Sequence, residues 1–292
     1  MPDAEIAAIR ALLASRPRPP ELAERRRRLD ALGSQYGLPG DVTVEPVTAN
    51  GVPAEWTSTP GADATRALLY LHGGGYVSGS LTSHRHVVAE AGRQAGIRTL
   101  ALDYRLAPEH PFPAAVEDAL AGYRFLLAHG IAPSRIAIGG DSAGGGLAVA
   151  LLVALREEGL PLPACAWVVS PWTDLEGIGE SMTSLAAVDP MVQKPYLDEI
   201  ARAYLNGADA RTPLAAPLHA ELRGLPPLLI QVGAAETLLD DSVRLAARAG
   251  AADVAVTLEV WPEMIHVWHL FHPALAAGRR ALAGAGRFLR EG

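Results

Sequence analysis

From residue 66 onward, short apolar runs alternate with longer stretches carrying Ala and Leu at helical spacing. The short runs predict strands near 66–71, 98–103, 135–139, 164–169, 228–232 and 254–260. The longer stretches predict helices near 83–95, 113–129, 143–158, 239–250 and 273–290. Two further strands are expected near 42–48 and 53–58. Residues 1–40 read as two helices broken at Arg16-Pro17-Arg18-Pro19-Pro20, where proline removes backbone donors. Regular strand–helix alternation implies an α/β fold with a mostly parallel central sheet flanked by helices.

The alternation fails between residues 171 and 222, where one helical stretch near 195–206 stands among turns. An insertion between two core strands cannot lie in the sheet, so it should cover one end. The expected organisation is N-terminal cap helices in 1–40 and a core in 41–292, with a cap insertion at about 171–222.

Composition narrows the function classes. The chain has 292 residues, 49% hydrophobic and 20% charged, as a soluble globular protein does. Its formal net charge of −7 gives a nucleic-acid partner no general support. The run Arg25-Arg26-Arg27-Arg28 is flanked by Glu21, Glu24 and Asp30 and reads as the solvated face of a helix. Cys165 is the only cysteine, so no intrachain disulfide is expected; within an apolar run it reads as inert packing. No cysteine and histidine spacing resembles a zinc site, so no metal is expected. The acidic start Met1-Pro2-Asp3-Ala4-Glu5-Ile6 argues against a secretory signal, and no apolar run is long enough to span a membrane. A cytoplasmic location is the default expectation.

The most informative stretch is Gly140-Asp141-Ser142-Ala143-Gly144. It follows the apolar run Ile136-Ala137-Ile138 and precedes a helical stretch. A strand, a tight turn holding G-x-S-x-G, and a helix expose the serine hydroxyl above a sheet edge. That hydroxyl is a weak nucleophile without a base and an oxyanion site. His72-Gly73-Gly74-Gly75 follows the strand at 66–71 and can supply the site. The expected donors are the N–H groups of Gly74, Gly75 and Ala143, with Gly73 making the turn; such donors are often worth ~3 kcal/mol each.

Taken in order, His72-Gly73-Gly74-Gly75-Tyr76, Asp103-Tyr104-Arg105-Leu106-Ala107-Pro108-Glu109 and Gly140-Asp141-Ser142-Ala143-Gly144-Gly145 resemble the α/β-hydrolases of the hormone-sensitive-lipase-like (bacterial family IV) esterase group. The resemblance covers roughly residue 40 to the C-terminus. It implies hydrolysis of short to medium acyl esters, no cofactor and a small helical cap. It also raises pairing as a homodimer.

The order nucleophile, acid, histidine directs the search for partners downstream. His266 lies in a loop between the last strand and the last helix and is the expected base, with His269 as the rival. His72 should fix its own loop, and His84 and His86 read as surface or loop-packing residues. The sequence His266-Val267-Trp268 departs from the group's usual His-Gly-Phe. The group's Asp-Pro-Leu-x-Asp segment is here Glu236-Thr237-Leu238-Leu239-Asp240. Glu236 takes the first slot as the acid, and Asp240 is the alternative. Tyr104, Arg105 and Glu109 are expected to be structural, and the Asp141 side chain to point away from the base. Tyr76, Trp172, Met191, Leu205 and Trp268 are candidate pocket residues, each equally readable as core. Lactone hydrolysis, amide hydrolysis and non-catalytic ligand binding remain open on the same scaffold.

Overall fold

The computed structural model describes residues 4–292. Two helices come first, α1 (Ala4–Ala14) and α2 (Leu22–Ser34), separated by the proline-rich break. Then follow β1 (Thr43–Ala49), β2 (Val52–Ser58), β3 (Asp63–Leu71), α3 (Leu81–Ala95), β4 (Ile97–Leu102), α4 (Ala114–Ala128), β5 (Ile136–Asp141), α5 (Ala143–Glu157) and β6 (Cys165–Val169). The insertion holds the one-turn α6 (Ser181–Ser184) and α7 (Lys194–Leu205). The chain closes with β7 (Leu228–Gly233), α8 (Leu239–Ala251), β8 (Val256–Trp261) and α9 (Ala276–Glu291). Among the described residues, no helix is long and apolar enough to cross a membrane.

The strands form one eight-stranded sheet in the order β1-β2-β4-β3-β5-β6-β7-β8. β1 and β2 pair antiparallel, as do β2 and β4, and every later pairing is parallel. Parallel strands are covered on both faces, which explains their nearly continuous apolar runs. The two faces still read out with period two. Leu69, Leu71, Ile138, Val168 and Ile230 pack into one core with α4, α5 and α7. Leu68, Tyr70, Ala137, Trp167 and Leu229 face the other, with α1, α3 and α9.

Helix ends follow local chemistry. Ser80 caps α3 through a reciprocal bond with Ser83, and Gly96 ends it in the left-handed region. The last helix starts at Ala276, three residues later than its periodicity suggests, because after the 3-10 turn Trp268–Phe271 residues 272–274 form a further turn. The 3-10 turn buries Trp268, His269 and Phe271.

The N-terminal segment and the insertion meet each other. Arg25 Nη1 bonds Glu199 Oε1 of α7 at 2.8 Å, and the Arg18 guanidinium stacks 3.4 Å over the Tyr196 ring. The arginine run is therefore only partly a solvated face. Arg27 and Arg28 are exposed, but Arg26 reaches the Val77 and Ala107 carbonyls and makes a two-pronged pair with Glu109. Guanidinium groups have five donors, so one side chain can rivet α2 to two core loops at once.

Candidate active site

The site residues stand at the carboxyl ends of β3, β5, β7 and β8, where ligands bind in open α/β sheets. Ser142 sits between β5 and α5 with φ 55° and ψ −123°, a strained conformation for a residue with a side chain. The surrounding backbone holds it there. Its N–H donates to the Val169 carbonyl at 2.8 Å, and its carbonyl accepts from Gly146 and Trp172 at 3.0 and 2.9 Å. The flanking glycines are sterically required. A Cβ on Gly144 would lie 2.0 Å from the Leu71 carbonyl oxygen, and one on Gly140 2.3 Å from the Gly144 oxygen.

Ser142 Oγ is 2.9 Å from His266 Nε2, and His266 Nδ1 is 3.1 Å from Glu236 Oε1. With Nδ1 protonated toward the carboxylate, Nε2 is left to accept the serine proton. Burial pushes the His266 pKa down, but the hydrogen bond and charge of Glu236 outweigh it and the pKa is raised above 6.5. Glu236 is fully buried; its Oε2 accepts from Ser170 Oγ at 2.8 Å and Gly233 N–H at 2.9 Å. Ser170 Oγ also accepts from Val267 N–H at 3.2 Å, so one hydroxyl links the acid to the loop carrying the histidine.

The rival residues have other partners. Asp240 Oδ2 accepts from Ser181 N–H at 2.9 Å while its own N–H donates to Ser181 Oγ, so it joins α8 to α6. His269 is buried, its pKa driven down to about 3 by burial, and its Nε2 lies 2.9 Å from Gln231 Oε1. That oxygen also accepts from Trp167 Nε1.

The glycine loop turns where expected. Gly74 and Gly75 have φ of 122° and 67°. The N–H groups of Gly74, Gly75 and Ala143 have no hydrogen-bond partner among the described residues. Gly73 instead donates its N–H to Asp141 Oδ1 at 3.0 Å. Asp141 also accepts from Tyr70 and lies 3.2 Å from His84 Nε2. Asp141, the residue before Ser142, therefore anchors the glycine loop, and His84 and His86 are buried packing residues, not surface ones. His72 is stacked on Tyr104 at 4.2 Å, and the Tyr104 hydroxyl donates to the His72 carbonyl. Burial drives the His72 pKa down to about 3.

A cavity of about 710 Å³ opens over Ser142 and His266. Trp172 and Met191 line it, together with Val192, Tyr196, Leu197 and Ile200 of the insertion. Leu12, Leu29 and Leu32 of the two N-terminal helices form the outer wall. Tyr76, Leu205 and Trp268 are not on that wall, and each has a packing reason. Tyr76 stacks on Tyr204 with ring centroids 3.8 Å apart, Leu205 closes the core end of α7, and Trp268 is wedged between Trp261 and His269. Large apolar residues near a site divide between wall and core by rotamer, which residue type does not reveal.

Asp189 was not singled out by any motif, yet it joins the cavity wall to the acid loop. Its Oδ1 accepts from the N–H groups of Met191 and Val192 at 2.7 and 2.9 Å, and its Oδ2 from Thr237 N–H at 2.8 Å. Its only sequence signal is the Asp-Pro pair that starts a turn. Away from the cavity, Asp174, Glu176 and His219 approach one another within 4.8 Å, but Arg244 and Arg211 already pair the two carboxylates.

Comparison with known proteins agrees with this geometry. A family model described as the alpha/beta hydrolase fold matches residues 68–270. An acetyl-hydrolase of Streptomyces hygroscopicus is 52% identical over 264 residues, covering 90% of this chain and 87% of that protein. An esterase of Acinetobacter venetianus is 33% identical, covering 89% and 86%. A crystal structure of an esterase from the bacterial hormone-sensitive lipase family superimposes with a TM-score of 0.97 at 50% identity, covering 100% of this chain and 99% of that one. An esterase crystal soaked with p-nitrophenyl butyrate matches with a TM-score of 0.95 at 48% identity, covering 99% and 98%. The chain belongs to the α/β-hydrolase family, within the bacterial hormone-sensitive-lipase-like esterases.

Proposed function

We propose that this ester hydrolase cleaves short- to medium-chain acyl esters through an acyl-enzyme on Ser142. The carrying observation is the continuous contact from Ser142 Oγ to His266 Nε2 and from His266 Nδ1 to Glu236. His266 takes the serine proton as Oγ attacks the ester carbonyl, and Glu236 stabilises the resulting imidazolium. The tetrahedral oxyanion is received by the N–H groups of Gly74, Gly75 and Ala143. His266 then returns the proton to the leaving alcohol, and a water repeats the cycle on the acyl-enzyme.

The enclosure is consistent with a small substrate. The N-terminal helices and the insertion act as a cap over a cavity of about 710 Å³ that acyl and alcohol parts share. The name acetyl-hydrolase on one relative and the p-nitrophenyl butyrate soaked into another support a short acyl chain.

The test is turnover of p-nitrophenyl esters from acetyl to palmitoyl, with Ser142→Ala as control. The expected result is an optimum at short chains and a loss of about 10⁴-fold or more in the variant. Turnover retained by folded Ser142→Ala would overturn the proposal. Hydrolysis of lactones alone would replace acyclic esters as the substrate, and binding without turnover of either would mark a ligand receptor.

A further inference from the structure

The outer cavity is cationic, although the protein as a whole carries a net charge of −7. Arg16, Arg18, Arg25 and Arg28 all line it, and among the described residues the one carboxylate on its wall, Asp141, is buried and occupied by Tyr70, Gly73 and His84. Two of these arginines have carboxylate partners, Arg25 with Glu199 and Arg28 with Glu24. Arg18 has none among the described residues; its Nη2 donates to the Met191 carbonyl and its guanidinium lies flat on Tyr196. Arg25 approaches the same ring at 5.4 Å, so two guanidinium groups contact one aromatic ring while only Arg25 has a carboxylate partner, Glu199. Partial desolvation of its guanidinium and the neighbouring Arg25 charge lower the Arg18 pKa, although the residue is exposed, while Tyr196, Asp189 and Glu199 raise it only in part. Asp189 already serves backbone N–H groups of Met191, Val192 and Thr237.

Tyr196 gives the distance scale. A Cβ on Gly75 of the glycine loop would lie 3.8 Å from the Tyr196 hydroxyl, and the Arg18 guanidinium is 3.4 Å from the centre of the same ring. The glycine loop and the Arg18 guanidinium therefore both approach the Tyr196 side chain, one at its hydroxyl and the other at its ring. A short substrate spans the distance between the two with a chain of a few bonds.

We infer that the preferred substrates are short esters bearing a carboxylate a few bonds from the scissile carbonyl, with Arg18 as the main anion-binding residue and Arg16 supporting it. The inference rests on the esterase reading of Ser142 and adds the charge of the substrate. A planar guanidinium suits a carboxylate because it can offer parallel N–H donors, and its stacking on Tyr196 holds that plane in place.

The experiment compares kcat/KM for mono-p-nitrophenyl glutarate with that for p-nitrophenyl valerate, a neutral ester of equal acyl length. A parallel pair, 4-acetoxybutyrate and butyl acetate, places the charge on the alcohol side. The expected result is at least about a 10-fold preference for the anion in one pair. That preference should shrink as salt rises, collapse toward unity in Arg18→Gln and be partly restored in Arg18→Lys. The ratio is unaffected by a general loss of activity. Binding of monomethyl glutarate to Ser142→Ala, followed by calorimetry, reads the same preference over methyl valerate without turnover. Turnover of the neutral esters with no anion preference in either pair overturns the inference and leaves the esterase reading intact. No turnover of any ester overturns that reading, and calorimetry then decides the anion site: equal binding of charged and neutral ligands refutes it.

Discussion

Glu236→Gln isolates the role of the acid with almost no change in shape. Glu236 is fully buried, and its two oxygens receive His266 Nδ1, Ser170 Oγ and Gly233 N–H. Glutamine has one acceptor and one donor end, so it cannot satisfy all three. With the carbonyl oxygen toward His266, the amide NH₂ opposes Gly233 N–H, and a buried donor clash of this kind costs about 1–3 kcal/mol. With the amide reversed, NH₂ donates to Nδ1 and the proton moves to Nε2, which can no longer accept from Ser142. Either orientation removes the charge that stabilises the imidazolium. The expected loss is about 10⁴-fold in kcat, or ~5.5 kcal/mol at ~1.36 kcal/mol per tenfold. Steady-state kinetics on p-nitrophenyl acetate, with a melting curve to show a folded variant, measures it. Asp240→Asn should stay within about threefold, because that side chain caps α6 and does not touch His266. A folded Glu236→Gln within tenfold of wild type, or the reverse ranking of the two variants, would refute the reasoning.

Other outcomes follow from the same contacts. Gly144→Ala should prevent stable folding or lower Tm sharply, because its Cβ would fall 2.0 Å from the Leu71 carbonyl oxygen, which the sheet holds in place; an unchanged Tm would contradict this. The kcat/KM for a neutral ester should fall as pH drops through a His266 pKa above 6.5: protonation removes the base, and despite burial Glu236 holds the proton on. A pH–rate profile still flat well below pH 6.5 would argue against His266 as the base. Asp189→Asn should lower kcat and shift that profile to lower pH, since one negative charge that favours the imidazolium is lost while the turn at Met191 and Val192 keeps an acceptor. A rise in KM alone, with the profile unmoved, would assign Asp189 to wall shape only.

Much of this architecture was legible because it rests on local rules. Buried parallel strands must be short and apolar, so β5, β6 and β7 stand out, and the strained Ser142 turn demands the glycines that mark it. The position after β7 and the family's acid segment pointed to Glu236 over Asp240, and the structure adds the three donors that hold Glu236. Ser170 and Asp189 were not legible. Their roles depend on partners 66 and 48 residues away, Glu236 and Thr237, and serine and aspartate at turns are common without such partners. The division of Trp172 from Tyr76 and Trp268 was equally hidden, since all three are large, apolar and buried. The arginine run showed its charge but not its reach. Helical phase sends Arg26 to Glu109, whereas Arg27 turns to Glu24 on its own helix.

The central claim is a covalent acyl-enzyme on Ser142, and the most direct measurement is its capture. The protein is mixed with p-nitrophenyl acetate, quenched in acid within the first turnover, digested and analysed by mass spectrometry, with Ser142→Ala alongside. The account predicts one acetyl group on the peptide carrying Ser142, accompanied by a burst of p-nitrophenol, and neither in the variant. An acetyl group on another residue, or turnover retained by folded Ser142→Ala, would contradict it.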